Sequence, residues 1–164
     1  MEPRSRLAGI LILATIIAPA YSMAAEKKGA KTAPAAGEAC SLLTKEDAAA
    51  ALGEAVTPKL NGSSQGGPGM SVSSCEYGGS GLHRIRLIVT HFPATQADII
   101  KGSCETKGHE DLTGLGDVAC WYNDKHEEIQ VLKGTTMLSV AIRGKPDPSE
   151  AVKGAMKKVY GRFK

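Results

Sequence analysis

Aromatic residues are scarce in this chain, which has one Trp, four Tyr and two Phe among its 164 residues. Because small-molecule pockets are lined largely by hydrophobic and aromatic side chains, the scarcity argues against a deep aromatic-lined pocket. The sequence also lacks a phosphate-binding loop of the form G-x-x-x-x-G-K-[ST], and we predict no nucleophile elbow. We therefore expect the protein not to be an enzyme.

A long hydrophobic run is lacking too. The longest uncharged apolar segment runs from Leu7 to Ala20, 14 residues, whereas a membrane-spanning helix needs roughly 20. Arg4 and Arg6 precede it, and small residues follow it. This layout is typical of a secretory signal peptide, which we place at residues 1–25. We expect no stable membrane span after cleavage and a periplasmic or secreted protein.

The charge balance lacks a strong bias. The formal net charge is +3, and removal of residues 1–25 would take away two arginines and one glutamate and leave +2. So small an excess predicts no nucleic-acid partner. Residues 26–39, rich in Ala, Lys, Gly and Pro, are predicted to be a disordered tether, and residues 40–164 a single domain.

Metal-ligand spacings are also absent. No two cysteines form a C-x-x-C pair, which excludes a thioredoxin-like redox site, a zinc ribbon and c-type haem attachment. His83 and His91 lie on one predicted strand roughly 26 Å apart and cannot share a metal. His126 with Glu128, and the loop around His109, match no known ligand spacing. We expect no metal and no cofactor.

Hydrophobic periodicity predicts three helices and five strands. Thr44 is a helix N-cap residue and Gly53 a helix C-terminal residue by type. The predicted helices cover residues 45–52, 96–103 and 148–162. The predicted strands cover residues 70–77, 82–92, 117–122 and 127–133, and a last one carries Leu138, Val140 and Ile142.

These elements follow the order α-β-β-α-β-β-β-α. Strands joined by short turns pair antiparallel, and an apolar sheet face must be covered by helices. We therefore predict an α+β domain with an antiparallel sheet of about five strands covered on one face by helices. The core should hold Ile85, Leu87, Val89, Ile129, Val131, Leu138, Val140 and Ile142 against Val152, Met156 and Val159 of the last helix.

Two regions are candidates for contact with a partner. Arg84 and Arg86 share the outward face of the clearest strand, opposite its apolar residues. Trp121 and Tyr122 are adjacent in a strand, so one faces the core and the other points outward. The Gly-rich and Ser-rich segment from Asn61 to Gly69 is predicted to be a loop. It is either a binding loop or a long hairpin connection.

Three short motifs resemble those of known envelope proteins. They are Cys40-Ser41-Leu42-Leu43-Thr44 before a helix ending in Leu52-Gly53, Cys75-Glu76-Tyr77 in a strand, and Gly114-Leu115-Gly116-Asp117-Val118-Ala119. The pattern resembles small bacterial cell-envelope proteins of unassigned function, mostly actinobacterial, and the extracellular sensor domains of mycobacterial receptor kinases. The resemblance implies an α+β domain that binds or senses, with the first cysteine bridged to the strand cysteine. The chain lacks the lipobox of the first group and the kinase and spanning helix of the second.

The four cysteines, Cys40, Cys75, Cys104 and Cys120, are even in number, and an exported protein meets an oxidising compartment. We predict the bridges Cys40–Cys75 and Cys104–Cys120, because each would join a residue beside a helix to a strand that follows it. The pairings Cys40–Cys104 with Cys75–Cys120, and Cys40–Cys120 with Cys75–Cys104, stay open at this point.

Taken together, these features favour a non-enzymatic extracytoplasmic binding, sensing or accessory module of the cell envelope. Its partner would be an unknown protein or envelope ligand. The alternative is a small periplasmic metal carrier or enzyme that uses His and Cys residues, which requires reduced thiols.

Overall fold

The computed structural model describes residues 37–105 and 112–163, which contain four helices and six strands. The helices are α1 (Glu38–Leu42), α2 (Lys45–Leu52), α3 (Ala94–Glu105) and α4 (Ser149–Phe163). The strands are β1 (Thr57–Gly67), β2 (Met70–Gly78), β3 (Arg84–His91), β4 (Val118–Trp121), β5 (Glu128–Lys133) and β6 (Thr136–Arg143). The predicted signal peptide and most of the predicted tether lie outside the described residues.

Helix α2 has the predicted bounds. The hydroxyl of Thr44 accepts a hydrogen bond from the backbone N–H of Asp47 at 3.2 Å, which satisfies one of the free donors of the first turn. Gly53 ends the helix in the left-handed region at φ 77°, a conformation that glycine adopts without a Cβ penalty.

The strands form one antiparallel sheet in the order β1-β2-β3-β6-β5-β4. The predicted α+β class with an antiparallel sheet is therefore confirmed. The predicted count of five strands is wrong, because β1 is a sixth strand in the described ranges. The predicted element order is also wrong, because α1 precedes α2 and β1 precedes β2.

Strand β1 contains most of the segment that was predicted to be a loop. Asn61 pairs with Cys75 and Gly62 with Ser74, so this segment continues a hairpin with β2. Main-chain hydrogen bonds hold the ladder, and an edge strand tolerates small and flexible residues. The turn is confined to the residues between Gly67 and Met70.

The core lies on one face of the sheet. All the residues predicted for it, from Ile85 on β3 to Val159 on α4, are 0% exposed. In register they form rows across the strands, with Leu87 opposite Val140 and Val140 opposite Ile129. Helices α1, α2 and α4 supply the remaining core residues, so they cover this face.

Helix α3 lies on the other face, which corrects the expectation that helices cover only one. Ala119 and Trp121 of β4 belong to the core, whereas Cys120 between them pairs with Gln130 and points away. Cys104 of α3 is bonded to Cys120. Because α3 contacts β4 and β5, it lies over that end of the sheet. We call the outer side of β2, β3 and β6 the open face, because no described helix packs on it; Arg84 and Arg86 are exposed there, whereas the short side chains of Ser139 and Ala141 are buried.

Both predicted disulfides are confirmed. Cys40 of α1 is bonded to Cys75 of β2 with a Cα–Cα distance of 5.1 Å, and Cys104 to Cys120 with a distance of 5.5 Å. Each bridge therefore ties a helix to a strand, one on each face of the sheet. Two disulfides are compatible with an extracellular or otherwise oxidising compartment. Among the described helices, none has the length and apolarity to cross a membrane.

Candidate ligand-binding site on the open sheet face

The sheet register brings charged side chains from three strands together on the open face. Arg86 of β3 stands between Glu76 of β2 and Ala141 of β6. Two residues earlier on β3, Arg84 is directly opposite Arg143 of β6. Since residues i and i+2 of a strand share a face, all five side chains project from the same side of the sheet.

A cavity of about 330 Å³ opens among these side chains. It is lined by Glu76, Leu82, Arg84, Arg86, Ala141 and Arg143, with Gly144 at its end. This volume lies at the lower end of the range for small-molecule sites, roughly 300–1,000 Å³. The lining combines three guanidinium groups and one carboxylate with the apolar surfaces of Leu82 and Ala141.

Small residues create the space. Ala141 stands between Arg86 and Glu128 in one row of the sheet, and its short side chain leaves a gap between two long neighbours. Gly144 has φ +81°, and a Cβ atom there would lie 2.5 Å from the carbonyl oxygen of Leu82. Only glycine allows the chain after β6 to pass this close to the Leu82 backbone. The 73% exposed Leu82 side chain thus stands at the rim of the cavity.

Arg143 is held in place by two carboxylates. Its Nη1 lies 2.8 Å from Oε2 of Glu127, and its Nη2 lies 3.0 Å from Oε2 of Glu128. The other oxygen of Glu128 accepts a hydrogen bond of 2.6 Å from the Ser139 hydroxyl. The charge of Arg143 is therefore compensated within the protein. The two ion pairs also fix the position of its side chain at the edge of the cavity.

Arg84, Arg86 and Glu76 differ from Arg143 in this respect. None of the three forms an ion pair with another residue of the ranges 37–105 and 112–163. Glu76 and Arg86 are register partners, so their charges are neighbours on the surface without being joined. The cavity consequently presents two positive groups and one negative group that are not engaged in ion pairs within the described ranges.

A second hydrogen-bonded cluster supports the β2–β3 turn that carries Leu82. Glu54 accepts hydrogen bonds from the Ser80 hydroxyl and, at 3.1 Å, from the Ser80 backbone N–H. Nδ1 of His83 lies 2.7 Å from the other Glu54 oxygen. The Ser80 hydroxyl bond, followed by the His83 contact, lowers the pKa of Glu54 to about 2. Glu54 is therefore ionised at neutral pH and pins the turn next to the cavity.

The structure divides the four residues predicted as a contact surface. Arg84 and Arg86 lie together at the cavity. Trp121 is buried, with its ring centroid 4.7 Å from that of His126, and Tyr122 is 50% exposed. The burial of Trp121 and the exposure of Tyr122 agree with the alternation predicted for this strand. In the sheet, however, β6 and β5 lie between β3 and β4. The tryptophan and tyrosine are therefore not part of the same site.

Sequence reasoning missed Glu76 and Arg143. The alternation of Cys75 and Tyr77 toward the core indicates that Glu76 points outward, but not which strand lies beside it. Arg143 follows the apolar residues of β6, and its position at the end of that strand was the only sequence feature that could have marked it as a site residue. The pairing of β3 with β6 is the step that joins them, and it connects strands far apart in the sequence.

The His and Cys residues considered for a metal site are not arranged as a set of ligands within the described ranges. Cys104 and Cys120 are consumed in a disulfide, so neither is a thiolate ligand in this structure. His126 contacts Trp121, and Glu128 bonds to Arg143, so they do not form a pair. Within the described ranges, no group of three or more His, Cys, Asp and Glu residues is arranged to hold a metal. His109 lies outside the described residues.

Residues 62–66, Gly-Ser-Ser-Gln-Gly, match the letters of the G-x-S-x-G nucleophile motif. In the hydrolases that use it, the serine sits on a sharp strand-to-helix turn. Here Ser64 lies inside β1 and pairs with Val72. The local structure is therefore a continuous strand rather than a nucleophile elbow.

No family model matches the chain, and no curated protein or solved structure matches it at a significant level.

Proposed function

We propose that the protein is a non-enzymatic extracytoplasmic binding or sensing module of the cell envelope. Its ligand carries an anionic group that is held by Arg84 and Arg86 in the open-face cavity. The observation that carries this proposal is the presence, in a concave site of about 330 Å³, of two guanidinium groups that form no ion pair with another described residue.

Guanidinium chemistry supports an anionic ligand. Arginine presents planar donors that match carboxylate and phosphate oxygens, and charge-assisted hydrogen bonds of this kind are about twice as strong as neutral ones. Arg84 also stands opposite Arg143 across the β3–β6 pair, so a third guanidinium group borders the position of an anion at Arg84 and Arg86.

The lining of the cavity supports binding rather than catalysis. Its side chains are arginines, one glutamate and two aliphatic residues, and an acyl- or group-transfer site needs a nucleophile beside a base. The two disulfides support an extracytoplasmic location. The three short motifs that resemble those of envelope proteins and receptor-kinase sensor domains favour the same class.

The test is a calorimetric titration of the folded protein with 4-methylpentanoate and with inorganic phosphate. We expect at least one of these anions to bind. The double variant Arg84→Gln/Arg86→Gln should weaken it about tenfold or more, since each lost charge-assisted bond contributes on the order of 1.5–3 kcal/mol. Lys157→Gln, an exposed cation on α4, is the matched control and should leave the affinity unchanged. Binding of neither anion, or equal binding to the double variant, contradicts the proposal.

A further inference from the structure

We infer that the ligand of the open-face cavity is a small zwitterion, an α-amino acid with an aliphatic side chain. This inference rests on the proposed function and adds the ligand class. The carboxylate would lie at Arg84 and Arg86, the ammonium at Glu76, and the aliphatic chain against Leu82 and Ala141. All these groups line one cavity.

The separation of charge in the cavity is the first argument. Glu76 stands directly across from Arg86 in the β2–β3 register, but the two do not form an ion pair. A simple anion at the arginines would therefore meet an uncompensated carboxylate on the neighbouring strand. An ammonium group on the same ligand would convert that repulsion into attraction, and it would supply donors that the acceptor-only carboxylate of Glu76 requires.

The charge balance of the surrounding cluster is the second argument. Arg143 is bound to both Glu127 and Glu128, so that group carries an excess of one negative charge. Together with Arg84, Arg86 and Glu76, the cluster contains three cations and three carboxylates. These six side chains together have no net charge for a pure anion to neutralise, but their charges are separated by strand, with Glu76 on β2 beside Arg84 and Arg86 on β3. A ligand with both charges and no net charge matches such a site.

The apolar part of the lining is the third argument. Leu82 is exposed over 73% of its surface although the β2–β3 turn that carries it is fixed by Glu54 and Gly144. Ala141 provides a short apolar floor beside Arg86. An aliphatic side chain of the ligand would lie over Ala141, which is already buried, and would remove the exposed surface of Leu82 from water. The size of the cavity, about 330 Å³, is sufficient for a single amino acid.

Leucine and two analogues, each of which lacks one of its charged groups, test the inference. The analogues are 4-methylpentanoate, which lacks the ammonium, and leucinamide, which lacks the carboxylate. In titrations of the wild-type protein we expect leucine to bind about tenfold or more tightly than either partial analogue, a ratio typical of one lost charge-assisted contact. Amide chemical shifts of β2, β3 and β6 in two-dimensional NMR spectra should change with leucine, which requires no variant.

Glu76→Gln is the decisive variant, since it keeps the shape of the side chain and removes its charge. We expect the Glu76→Gln variant to bind leucine no more tightly than it binds 4-methylpentanoate. Its affinity for 4-methylpentanoate should be at least as high as that of the wild-type protein. Lys157→Gln should behave as the wild type with all three probes. Thermal melts of each variant verify that the fold is kept.

The outcomes separate this inference from the proposed function. If 4-methylpentanoate and leucine bind the wild type equally, or if Glu76→Gln keeps the preference for leucine, the zwitterion inference is overturned and the anion site stands. If phosphate binds but leucine does not, only the zwitterion inference is overturned. If none of leucine, 4-methylpentanoate and phosphate binds, or if binding survives Arg84→Gln/Arg86→Gln, both are overturned.

Discussion

At the scale of single residues, the shape of the cavity depends on Gly144, which allows a close approach of two backbone segments. Gly144 lets the end of β6 pass against the backbone of Leu82 and His83, where a Cβ atom would lie 2.5 Å from the Leu82 oxygen and 3.0 Å from the His83 nitrogen. It also occupies the left-handed region at φ +81°. Both the contact and the dihedral angle oppose any larger residue.

We predict that Gly144→Ala lowers the free energy of unfolding by about 1–3 kcal/mol, because the strained backbone and the close contact add. The measurement is urea denaturation followed by circular dichroism. Gly154→Ala is the matched control, since position 154 lies in α4 and a Cβ there meets nothing within 4 Å. It should raise stability by about 0.5–1 kcal/mol through helix propensity. Equal effects of the two substitutions would contradict this account of Gly144.

Residue alternation was enough to place Arg84 and Arg86 on the open face, because a strand with Ile85, Leu87 and Val89 inward must turn its other residues outward. It was not enough to assemble the site. The neighbours of Arg84 on each side are Gly78 and Arg143. The first follows from the β2–β3 hairpin, but the second depends on the pairing of β3 with β6, strands far apart in the sequence, which no local pattern specifies.

At the scale of elements, the sequence predicted the helices and strands that have a clear hydrophobic periodicity. It missed α1 and β1, which are held by contacts with other elements. Helix α1 has five residues and no side-chain cap, so its propensity is too weak to be recognised. Tertiary contacts hold it instead. Cys40 is bonded to Cys75, the Ala39 N–H donates to the Ser73 hydroxyl at 3.1 Å, and Glu38 contacts His91 at 3.0 Å.

Strand β1 was missed for a related reason. Its residues 61–67, Asn-Gly-Ser-Ser-Gln-Gly-Gly, have no apolar alternation and a low intrinsic preference for strands. The strand lies at the edge of the sheet and pairs only with β2 among the described strands. The pairing with β2 supplies the main-chain hydrogen bonds of β1. The strand therefore depends on its neighbour and has no signal in its own residues.

We predict that helix α3 is the element that depends most on its disulfide. Apart from Cys104 it places no residue among the buried hydrophobic side chains of the described chain, and Ile99 is 72% exposed. We predict that the double variant Cys104→Ser/Cys120→Ser frees α3 while the core remains folded. The chain-entropy model gives a loss of about 3 kcal/mol for a loop of this length. Hydrogen exchange should show α3 amides losing protection far more than those of β3 and β6.

The matched control is Cys40→Ser/Cys75→Ser, which releases α1 from β2. Since α1 contributes Ala39 and Leu42 to the core and Cys75 is itself 0% exposed, its loss should lower protection throughout the domain. If α3 amides in the Cys104→Ser/Cys120→Ser variant stay as protected as in the parent protein, the helix is held by packing and the assignment is wrong.

At the scale of the whole molecule, one buried carboxylate joins the two ends of the described chain. Asp47 of α2 lies 2.5 Å from Nη1 of Arg162 and 3.2 Å from Nζ of Lys158, both on α4. Arg162 also donates to the backbone oxygen of Leu42 at 2.8 Å. The first helices and the last are thereby fixed to each other over the sheet, which completes the cover of the core that the three helices form.

The pKa of Asp47 makes this connection sensitive to acid. Burial raises the pKa, but the hydrogen bonds from Arg162, Lys158 and Thr44 outweigh burial and hold it below its ordinary value. A carboxyl whose pKa is lower in the folded than in the unfolded state stabilises the fold when ionised. That contribution is fully present above the unfolded value of about 3.9 and is lost as the pH falls through the folded value.

We therefore predict that Asp47→Asn lowers the free energy of unfolding at pH 7 by about 1–3 kcal/mol, since Arg162 and Lys158 lose their partner. The difference between wild type and variant should be constant from pH 7 down to about pH 5 and should shrink as the pH is lowered further. Urea denaturation at a series of pH values measures it. The control is Asp124→Asn, an exposed residue of the β4–β5 turn, which should show little difference at any pH. A gap at Asp47 that stays constant from pH 7 to pH 2.5 would mean that its charge does not hold α2 to α4, and the helices would then be joined by apolar packing alone.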